Sequence, residues 1–294
     1  MSTTSTPLSG VNQPLKGIGL ILLATFLFAS HDTLSKYLSG FYPIALVVWA
    51  RYLVHTLLMA FIFIPSAGLR GLRTRRPGIQ VIRALALLGT SLLFTTSLMF
   101  IPLAEATSVN FLAPLLVTAL SVPLLREQVT RGQWVAVILG FVGVIVIVHP
   151  GGELFTPAIL LPLSSASCFA LYQLLTRLVS RYDSPTASNF FAGLFNTVLM
   201  SALIPFFWQT PELKHLPLLL ALGACGMGAH LMLTQAFRVT APAILAPFSY
   251  CQIVFAGLLG FLVFGHVPAP IAQVGIAIIC LSGLAAAWQQ RKAG

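Results

Sequence analysis

The sequence predicts an all-α membrane protein, with ten transmembrane helices arranged as two inverted five-helix repeats. The first observation is composition: 57% of the 294 residues are hydrophobic, 7% are charged, and the mean hydropathy is +0.94. Such a chain is too apolar to cover a water-soluble surface. The second is an internal repeat, in which Leu112-Ala113-Pro114 recurs as Leu245-Ala246-Pro247. The third is that the basic residues fall in alternate loops.

The apolar segments are long enough for ten spans, since a span needs about 20 mostly apolar residues. A first repeat, residues 17–148, and a second repeat, residues 157–288, are joined by a loop at 149–156. The tails are 1–16 and 289–294, and the first lacks the charged start and cleavage site of a secretory signal peptide. We predict the spans at 17–38, 43–64, 79–99, 103–124, 132–148, 157–179, 186–207, 216–236, 241–264 and 268–288.

Further matches between the two repeats support the duplication. Leu98-Met99 corresponds to Leu231-Met232, Thr107 to Thr240, and Phe28-Ala29 to Phe169-Ala170. Because each repeat has five spans, an odd number, the second must enter the membrane upside down relative to the first. Inverted repeats of this kind build transporters, with the substrate site between the copies near the bilayer midplane.

The formal net charge of +10 does not indicate a nucleic-acid partner, because the basic residues are not gathered on one face or tail. By the positive-inside rule, the loops that carry them lie in the cytoplasm, and so do both termini. The membrane expected is the inner membrane of a bacterium. Lys214 and Lys36 are the exceptions. The loop residues are Arg70, Arg73, Arg75 and Arg76, then Arg126 and Arg131, then Arg177 and Arg181, and then Arg238.

Neither a metal, nor a cofactor, nor an enzymatic activity is indicated. Cys168, Cys225, Cys251 and Cys280 lie in four different predicted spans, without a CxxC pair or a nearby set of histidine ligands. No Walker A, GxSxG, HExxH or GxGxxG motif stands in a suitable context. The partners expected are a small-molecule substrate and the lipid bilayer. The oligomeric state is not fixed by the sequence, and a monomer is the expectation.

Several segments together resemble the drug/metabolite transporter superfamily, specifically its EamA-type exporters. They are Asp32-Thr33-Leu34-Ser35-Lys36, Asn110-Phe111-Leu112-Ala113-Pro114, Leu125-Arg126-Glu127 and the stretch 133–143. The resemblance covers residues 16–288 and is strongest to broad amino-acid exporters, including the aromatic amino-acid type. The second copy has Gly265-His266 where the first has its closing acid, so we expect Glu127 to orient a cytoplasmic turn rather than carry transport.

Charged residues inside predicted spans are the first candidates for the site. A charge at the bilayer centre costs about 2.5–3.5 kcal/mol, so such side chains must face each other, water or substrate. Span 1 carries His31, Asp32 and Lys36, and span 2 carries Arg51 four residues before His55. The alternative is a salt-bridge cluster that pins span 1 to span 2, with Lys36 reaching the interface.

Asp32 aligns with Gln173 in the second copy, and His31 aligns with Tyr172. Because the copies are inverted, we expect these two polar pairs on opposite sides of the midplane. Alternate gates would need such an arrangement, so all four are candidate substrate-binding residues.

Pro114 and Pro247 are predicted to break their helices and leave carbonyls without partners. Such breaks are tolerated at membrane depth beside protein or a water-filled cavity. Asn110 lies one turn before the first proline and Tyr250 one turn after the second, either as cavity-lining groups or as local repair of the freed carbonyls. Phe248 is the neighbouring aromatic expected in the cavity.

His230 on span 8 is a further candidate for the site, and the alternative is a packed, satisfied histidine. Thr95, Thr96 and Gln252 are lower-ranked candidates. Ser and Thr side chains commonly bond back to their own helix.

These residues indicate a carrier for a small zwitterionic metabolite that works by alternating access, and the resemblance implies the export of neutral and aromatic amino acids. A zwitterion needs a base for its carboxylate and an acid or amide for its ammonium group, and the candidate set supplies both. The alternatives are a nucleotide-derived or vitamin-like metabolite, or a cationic drug. Asp32 could carry a coupling proton, but facilitated diffusion is the simpler expectation from a single in-span carboxylate of this kind.

Overall fold

The computed structural model describes residues 13–67, 74–125, 129–149, 152, 154–179, 182–240, 245 and 248–293. Regular structure in these residues is helical throughout, with short 3₁₀ turns. Glu127 and Pro247 lie outside the described residues. The α-helices are α1 Pro14–Ser39, α2 Ile44–Ala67, α3 Pro77–Ser97, α4 Leu103–Asn110, α5 Ala113–Leu125, α6 Arg131–Val148, α7 Leu160–Val179, α8 Pro185–Leu203, α9 Leu216–Val239, α10 Cys251–Phe264 and α11 Pro270–Ala293.

The described part of the chain contains ten membrane-span candidates, as predicted. Eight helical segments are long and apolar enough to cross a bilayer, and one of these, Leu103–Pro123, combines α4 and α5. Two shorter apolar segments, Cys251–Phe264 and Pro270–Ala286, complete the ten. Large apolar side chains such as Phe61 and Val198 point outward, 82% and 63% exposed, as lipid-facing residues do. The all-α fold class is therefore confirmed.

The helix ends follow local sequence signals. Proline occupies the first turn of α1, α3 and α8, where a missing N–H costs nothing. Thr130 and Gln133 form a reciprocal capping box at the start of α6. Gly265 ends α10 with φ of 69°, a left-handed conformation that glycine adopts without a steric penalty.

The helices pack in a pattern that is unchanged when the two halves are exchanged. α1 packs on α9, and its counterpart α7 packs on α3. Likewise α2 packs on α9 and α8 on α3, while α1 packs on α10 and α7 on α4 and α5. Three further pairs, α2 with α8, α4 with α10 and α6 with α11, join corresponding spans of the two halves. This is the pattern that a two-fold relation between the halves requires.

The pair formed by α6 and α11 depends on glycine. A Cβ added to Gly143 would lie 2.9 Å from the carbonyl oxygen of Gly275, and one added to Gly275 would lie 2.6 Å from the carbonyl oxygen of Gly143. Both obstacles are backbone atoms, which cannot turn aside. The two backbones therefore approach as closely as small residues allow in membrane helix pairs.

Asp183 fastens the loop between α7 and α8 to the start of α3. Its carboxylate accepts hydrogen bonds from the Arg75 backbone N–H at 2.8 Å, from the Gln80 amide at 2.9 Å, and from the Thr74 hydroxyl. Burial of the carboxylate opposes ionisation, but these hydrogen bonds outweigh it and lower the pKa of Asp183.

Tyr42 fastens the corresponding loop of the first half, between α1 and α2, to the segment before α9. Its hydroxyl accepts a hydrogen bond from the Glu212 backbone N–H at 2.9 Å and lies 2.7 Å from Nδ1 of His215. In each half, one side chain of the equivalent loop thus bonds to the other half, a carboxylate in one and a phenol in the other.

We expect Asp183→Asn to destabilise the protein at neutral pH and to matter progressively less in acid. The folded pKa lies below the ordinary value of 3.8, so the ionised carboxylate stabilises the fold above that value and loses this effect as the pH falls through the folded pKa. Thermal unfolding in detergent at pH 7 and pH 3 measures the difference. Glu212→Gln, which removes an exposed ion pair with Lys214, is the control with little expected change. An equal Asp183→Asn effect at both pH values would contradict the assignment.

Candidate functional site

A cavity of about 140 Å³ lies between the two halves, near the middle of α1, α3, α7 and α9. Four phenylalanine rings form part of its wall, contributed by Phe28, Phe94, Phe111 and Phe169. The polar residues of the wall include His31, Asp32, Arg51, Thr90, Ser91, Thr95, Asn110, His230 and Gln252. The cavity therefore combines aromatic faces with a few polar groups, as small-molecule sites do.

Asp32 faces the cavity from α1 and is held by two neighbours. Its Oδ1 accepts a hydrogen bond from Nδ1 of His31 at 2.9 Å, and its Oδ2 accepts one from the amide of Gln252 at 3.3 Å. The helical period places Phe28 on the same face of α1, one turn earlier. The side chain of Asp32 is buried, so water screens its electrostatic interactions with a ligand only weakly.

Arg51 enters the cavity from α2, and no described residue provides it with an acidic partner. Its guanidinium donates to the hydroxyl of Ser91 at 2.5 Å and lies 4.6 Å from the centre of the Tyr52 ring. Among the described residues, no carboxylate lies within 4.0 Å of Arg51. Its buried Nε atom has no hydrogen-bond partner in the part of the chain that the structure describes. The arrangement leaves a cation available to an anionic group of a ligand.

Span 4 is divided where the sequence predicts a break. α4 ends at Asn110 and α5 begins at Ala113, so Pro114 occupies the first turn of α5 rather than a helix interior. Asn110, Phe111, Ala113 and Pro114 all line the cavity. Ser165 on α7 donates to the side-chain oxygen of Asn110 at 3.1 Å. The interrupted backbone therefore lies beside the cavity, where such breaks are tolerated.

His230 reaches the cavity from α9 and packs edge-on against two rings. The ring centres lie 5.1 Å from Phe28 and 6.2 Å from His55. Six of the candidates from the sequence, His31, Asp32, Arg51, Asn110, His230 and Pro114, are thus brought to one cavity.

Lys36 is not part of this cavity wall. Its ammonium group donates to the carbonyl of Ile101 at 3.0 Å and lies 5.4 Å from the centre of the Phe264 ring. It makes no ion pair with Asp32 within 4.0 Å. Lys36 lies one turn beyond Asp32 on α1, so its long side chain reaches the start of α4 instead of the cavity.

Tyr172 and Gln173 lie on α7 beyond the cavity wall. The Tyr172 ring stacks on the cavity residue Phe169 at 5.8 Å, and its hydroxyl accepts a hydrogen bond from Arg83 at 3.1 Å. Gln173 is one turn past Phe169, beyond the last α7 residue that lines the cavity. The polar pair of the second half therefore does not share the cavity with the pair of the first half.

The two aromatics expected beside Pro247 also lie outside the wall. Phe248 packs against the apolar cluster that contains Ile21 and Leu245. Tyr250 stands behind the cavity residue Phe111, with ring centres 5.2 Å apart. Tyr250 supports the wall from behind and does not form it.

Sequence reasoning missed Arg83, which is fully buried on α3. It donates to Gln80, Tyr172, Thr176, Ser188 and Asn189, at distances between 2.7 and 3.4 Å. The signal was present, because an arginine inside a predicted span must find partners. Ser91 was also missed, and Gln252 was ranked too low, because a neutral polar residue in a span gives no comparable signal.

The described residues contain no group of three His, Cys, Asp or Glu side chains placed to hold a metal ion. The chemistry available in the cavity is reversible binding through charge, hydrogen bonds and aromatic contact.

Three named relatives match the chain along almost its whole length. The S-adenosylmethionine uptake transporter of Rickettsia bellii is 28% identical, with 96% of this chain and 98% of the relative covered. The riboflavin transporter of Vibrio cholerae is 29% identical, with 96% of each covered. The pseudopaline exporter of Pseudomonas aeruginosa is 26% identical, with 92% and 95% covered. All three names describe transporters of small metabolites.

A solved crystal structure shares the fold, with a TM-score of 0.67 at 22% sequence identity, covering 97% of this chain and all of the other. Two segments of the chain, residues 15–149 and 156–287, each match the EamA-like transporter family. The fold, the central cavity and these matches lead to one conclusion: the chain is a membrane transporter and belongs to the EamA-like transporter family.

Proposed function

We propose that this transporter carries a nucleotide-derived or vitamin-like metabolite, with S-adenosylmethionine as the best-fitting class. The observation that carries the proposal is the cavity itself, where Arg51 has no acidic partner in the described part of the chain and Asp32 shares the wall with phenylalanine rings. Arg51 suits the carboxylate of the amino-acid end of such a molecule. Asp32 suits a cationic amine or sulfonium, and the rings suit a heteroaromatic base.

Amino acids, the cargo expected from the sequence, fit the charged groups. Most of them would make less contact with the phenylalanine rings of the cavity wall. The relatives are named for S-adenosylmethionine, riboflavin and pseudopaline rather than for proteinogenic amino acids. Riboflavin is the second candidate, because a relative carries its name and its ring suits the phenylalanines. Riboflavin has no carboxylate, so it would make no ion pair with Arg51.

The cavity has a volume of about 140 Å³, close to the volume in which benzene is held in a protein interior. This volume suits one ring or one amino-acid end of a larger metabolite. We propose alternating access between the repeats at 17–148 and 157–288. The protein would lie in the bacterial inner membrane, with both termini on the cytoplasmic side. Facilitated diffusion is the simplest energetic scheme for a cavity of this composition.

Counterflow in liposomes tests the cargo without depending on the direction of transport. Liposomes that contain the purified protein are loaded with unlabelled S-adenosylmethionine, riboflavin, methionine or phenylalanine. Exchange with the labelled compound outside the liposomes is then followed. Accumulation of S-adenosylmethionine above that of methionine and phenylalanine is the expected result. Exchange of the amino acids alone would replace this proposal with the amino-acid carrier.

We expect Arg51→Gln to lower the transport of S-adenosylmethionine about tenfold or more, because a charge-assisted hydrogen bond contributes about 1.5–3 kcal/mol. Riboflavin exchange, if present, should fall less, because riboflavin has no carboxylate and can lose only a neutral hydrogen bond with Arg51. Arg131→Gln removes an exposed cation at the start of α6 and serves as the matched control. Equal losses for substrates with and without a carboxylate would show that Arg51 does not recognise that group.

A further inference from the structure

Gly226 occupies a special place in the cavity wall, because α9 passes His31 and Arg51 there without a side chain of its own. A Cβ added at this glycine would lie 3.3 Å from Cδ2 of His31, 3.9 Å from its Nε2, and 3.8 Å from Nε of Arg51. The backbone of α9 at this point therefore faces two nitrogen atoms from the opposite half.

Both nitrogens are buried, and neither has a hydrogen-bond partner among the residues that the structure describes. Leaving a buried polar group without a partner is unfavourable, so a ligand atom that satisfies both nitrogens would be favoured. Nδ1 of His31 faces a carboxylate oxygen of Asp32, which only accepts, so the proton of a neutral ring lies on Nδ1. Nε2 of His31 is then an acceptor, whereas Nε of Arg51 is a donor.

A hydroxyl group meets these two requirements at once, since its oxygen accepts from Arg51 and its proton is donated to His31. A carboxylate meets only the first, because it has no proton to donate. The chemistry of the pair therefore favours a hydroxylated part of the ligand over a second acidic group.

We propose that Gly226 determines specificity by leaving room for a substrate hydroxyl between Nε of Arg51 and Nε2 of His31. The inference rests on the proposed function and narrows it to metabolites with a ribose or ribityl group. A methyl group at residue 226 takes that room and crowds the His31 ring. Since the 3.3 Å contact is to a side chain that can give by a few tenths of an ångström, Gly226→Ala should still fold.

Gly228 provides a matched control on the same helix. A Cβ added there would also meet its nearest atom at 3.3 Å, but that atom is Cδ1 of Leu27, and Gly228 does not line the cavity. Gly226→Ala and Gly228→Ala thus add the same methyl group to α9 with the same closest approach. A purely structural effect would be similar in both variants.

The test compares each probe with an analogue that lacks one or more of its sugar or ribityl hydroxyl groups. Both compounds compete with the labelled substrate in liposome counterflow. The pairs are S-adenosylmethionine with its 2′-deoxy analogue, and riboflavin with lumiflavin, which keeps the ring and lacks the ribityl chain. In the wild type, the hydroxylated compound is expected to compete about tenfold better, which corresponds to about 1.4 kcal/mol. Gly226→Ala should reduce that preference to near unity, while Gly228→Ala should keep it.

Retention of the preference by Gly226→Ala would overturn the inference, as would absence of the preference in the wild type. An equal loss of all transport in both variants, at equal membrane abundance, would also overturn it, because packing would then explain the result. Failure of the proposed function has a different signature: the wild type would exchange neither S-adenosylmethionine nor riboflavin.

Discussion

Asp32→Asn is expected to lower S-adenosylmethionine transport by about 10- to 100-fold at equal membrane abundance. The substitution keeps the shape of the side chain but removes the charge that would face the cationic group of the substrate. It also turns an amide toward Gln252, which already donates to this residue at 3.3 Å. A charged hydrogen bond lost in a buried site accounts for a change of this size. Initial rates of exchange in liposomes, with KM and maximal rate determined separately, provide the measurement.

Glu212→Gln is the control for Asp32→Asn, because it removes an exposed carboxylate far from the cavity wall. The sequence adds a second comparison, Glu127→Gln, which we expect to impair transport less than Asp32→Asn. Full activity of Asp32→Asn would show that the carboxylate does not bind the substrate and only packs beside His31. A similar loss of transport in Asp32→Asn and Glu212→Gln would show that removing any negative charge lowers transport, wherever the carboxylate lies.

Arg83→Met is expected to lower the stability of the protein by about 3 kcal/mol. Arg83 donates to acceptors on α7 and α8, and all of these hydrogen bonds would be lost from a buried position. Since α3 belongs to the first half and α7 and α8 to the second, the loss falls on the junction between the halves. Thermal unfolding in detergent, together with membrane abundance, measures the effect.

Two further variants define what Arg83 contributes. Arg131→Met removes an exposed arginine and should leave the unfolding temperature nearly unchanged. Arg83→Lys keeps the charge but loses the planar fork of donors, so an intermediate stability is expected. An unchanged unfolding temperature in Arg83→Met would mean that the cost of burying the cation cancels its hydrogen bonds.

Most of the fold could be predicted from the sequence, because the bilayer imposes strict rules. Apolar segments of sufficient length predicted the helices, and Leu112-Ala113-Pro114 with its copy predicted two related halves. The break in span 4 at residues 111 and 112 followed from the proline. Exact packing between helices could not be predicted, because it depends on which faces meet. The glycine contact between α6 and α11 is one example.

The site was predicted unevenly, for the same reason. Charges in spans identified Asp32 and Arg51 as cavity residues, because no lipid-facing position suits them. Symmetry alone suggested Tyr172 and Gln173, but equivalent positions in two halves need not face one cavity. Lys36 reached another partner through the length of its side chain. Gly226 gave no signal, since its contribution is a missing side chain whose neighbours come from other helices.

The contact between Gly143 and Gly275 joins two helices that correspond to each other in the two halves. In a symmetric dimer such a contact is isologous, with the same patch of surface meeting itself across the axis. Here one continuous chain supplies both patches, so each glycine is an obstacle to change in the other. A larger residue in either half collides with backbone, and no substitution in the opposite half can remove that backbone. The two copies can therefore diverge freely at lipid-facing positions, but at this seam they must stay small together.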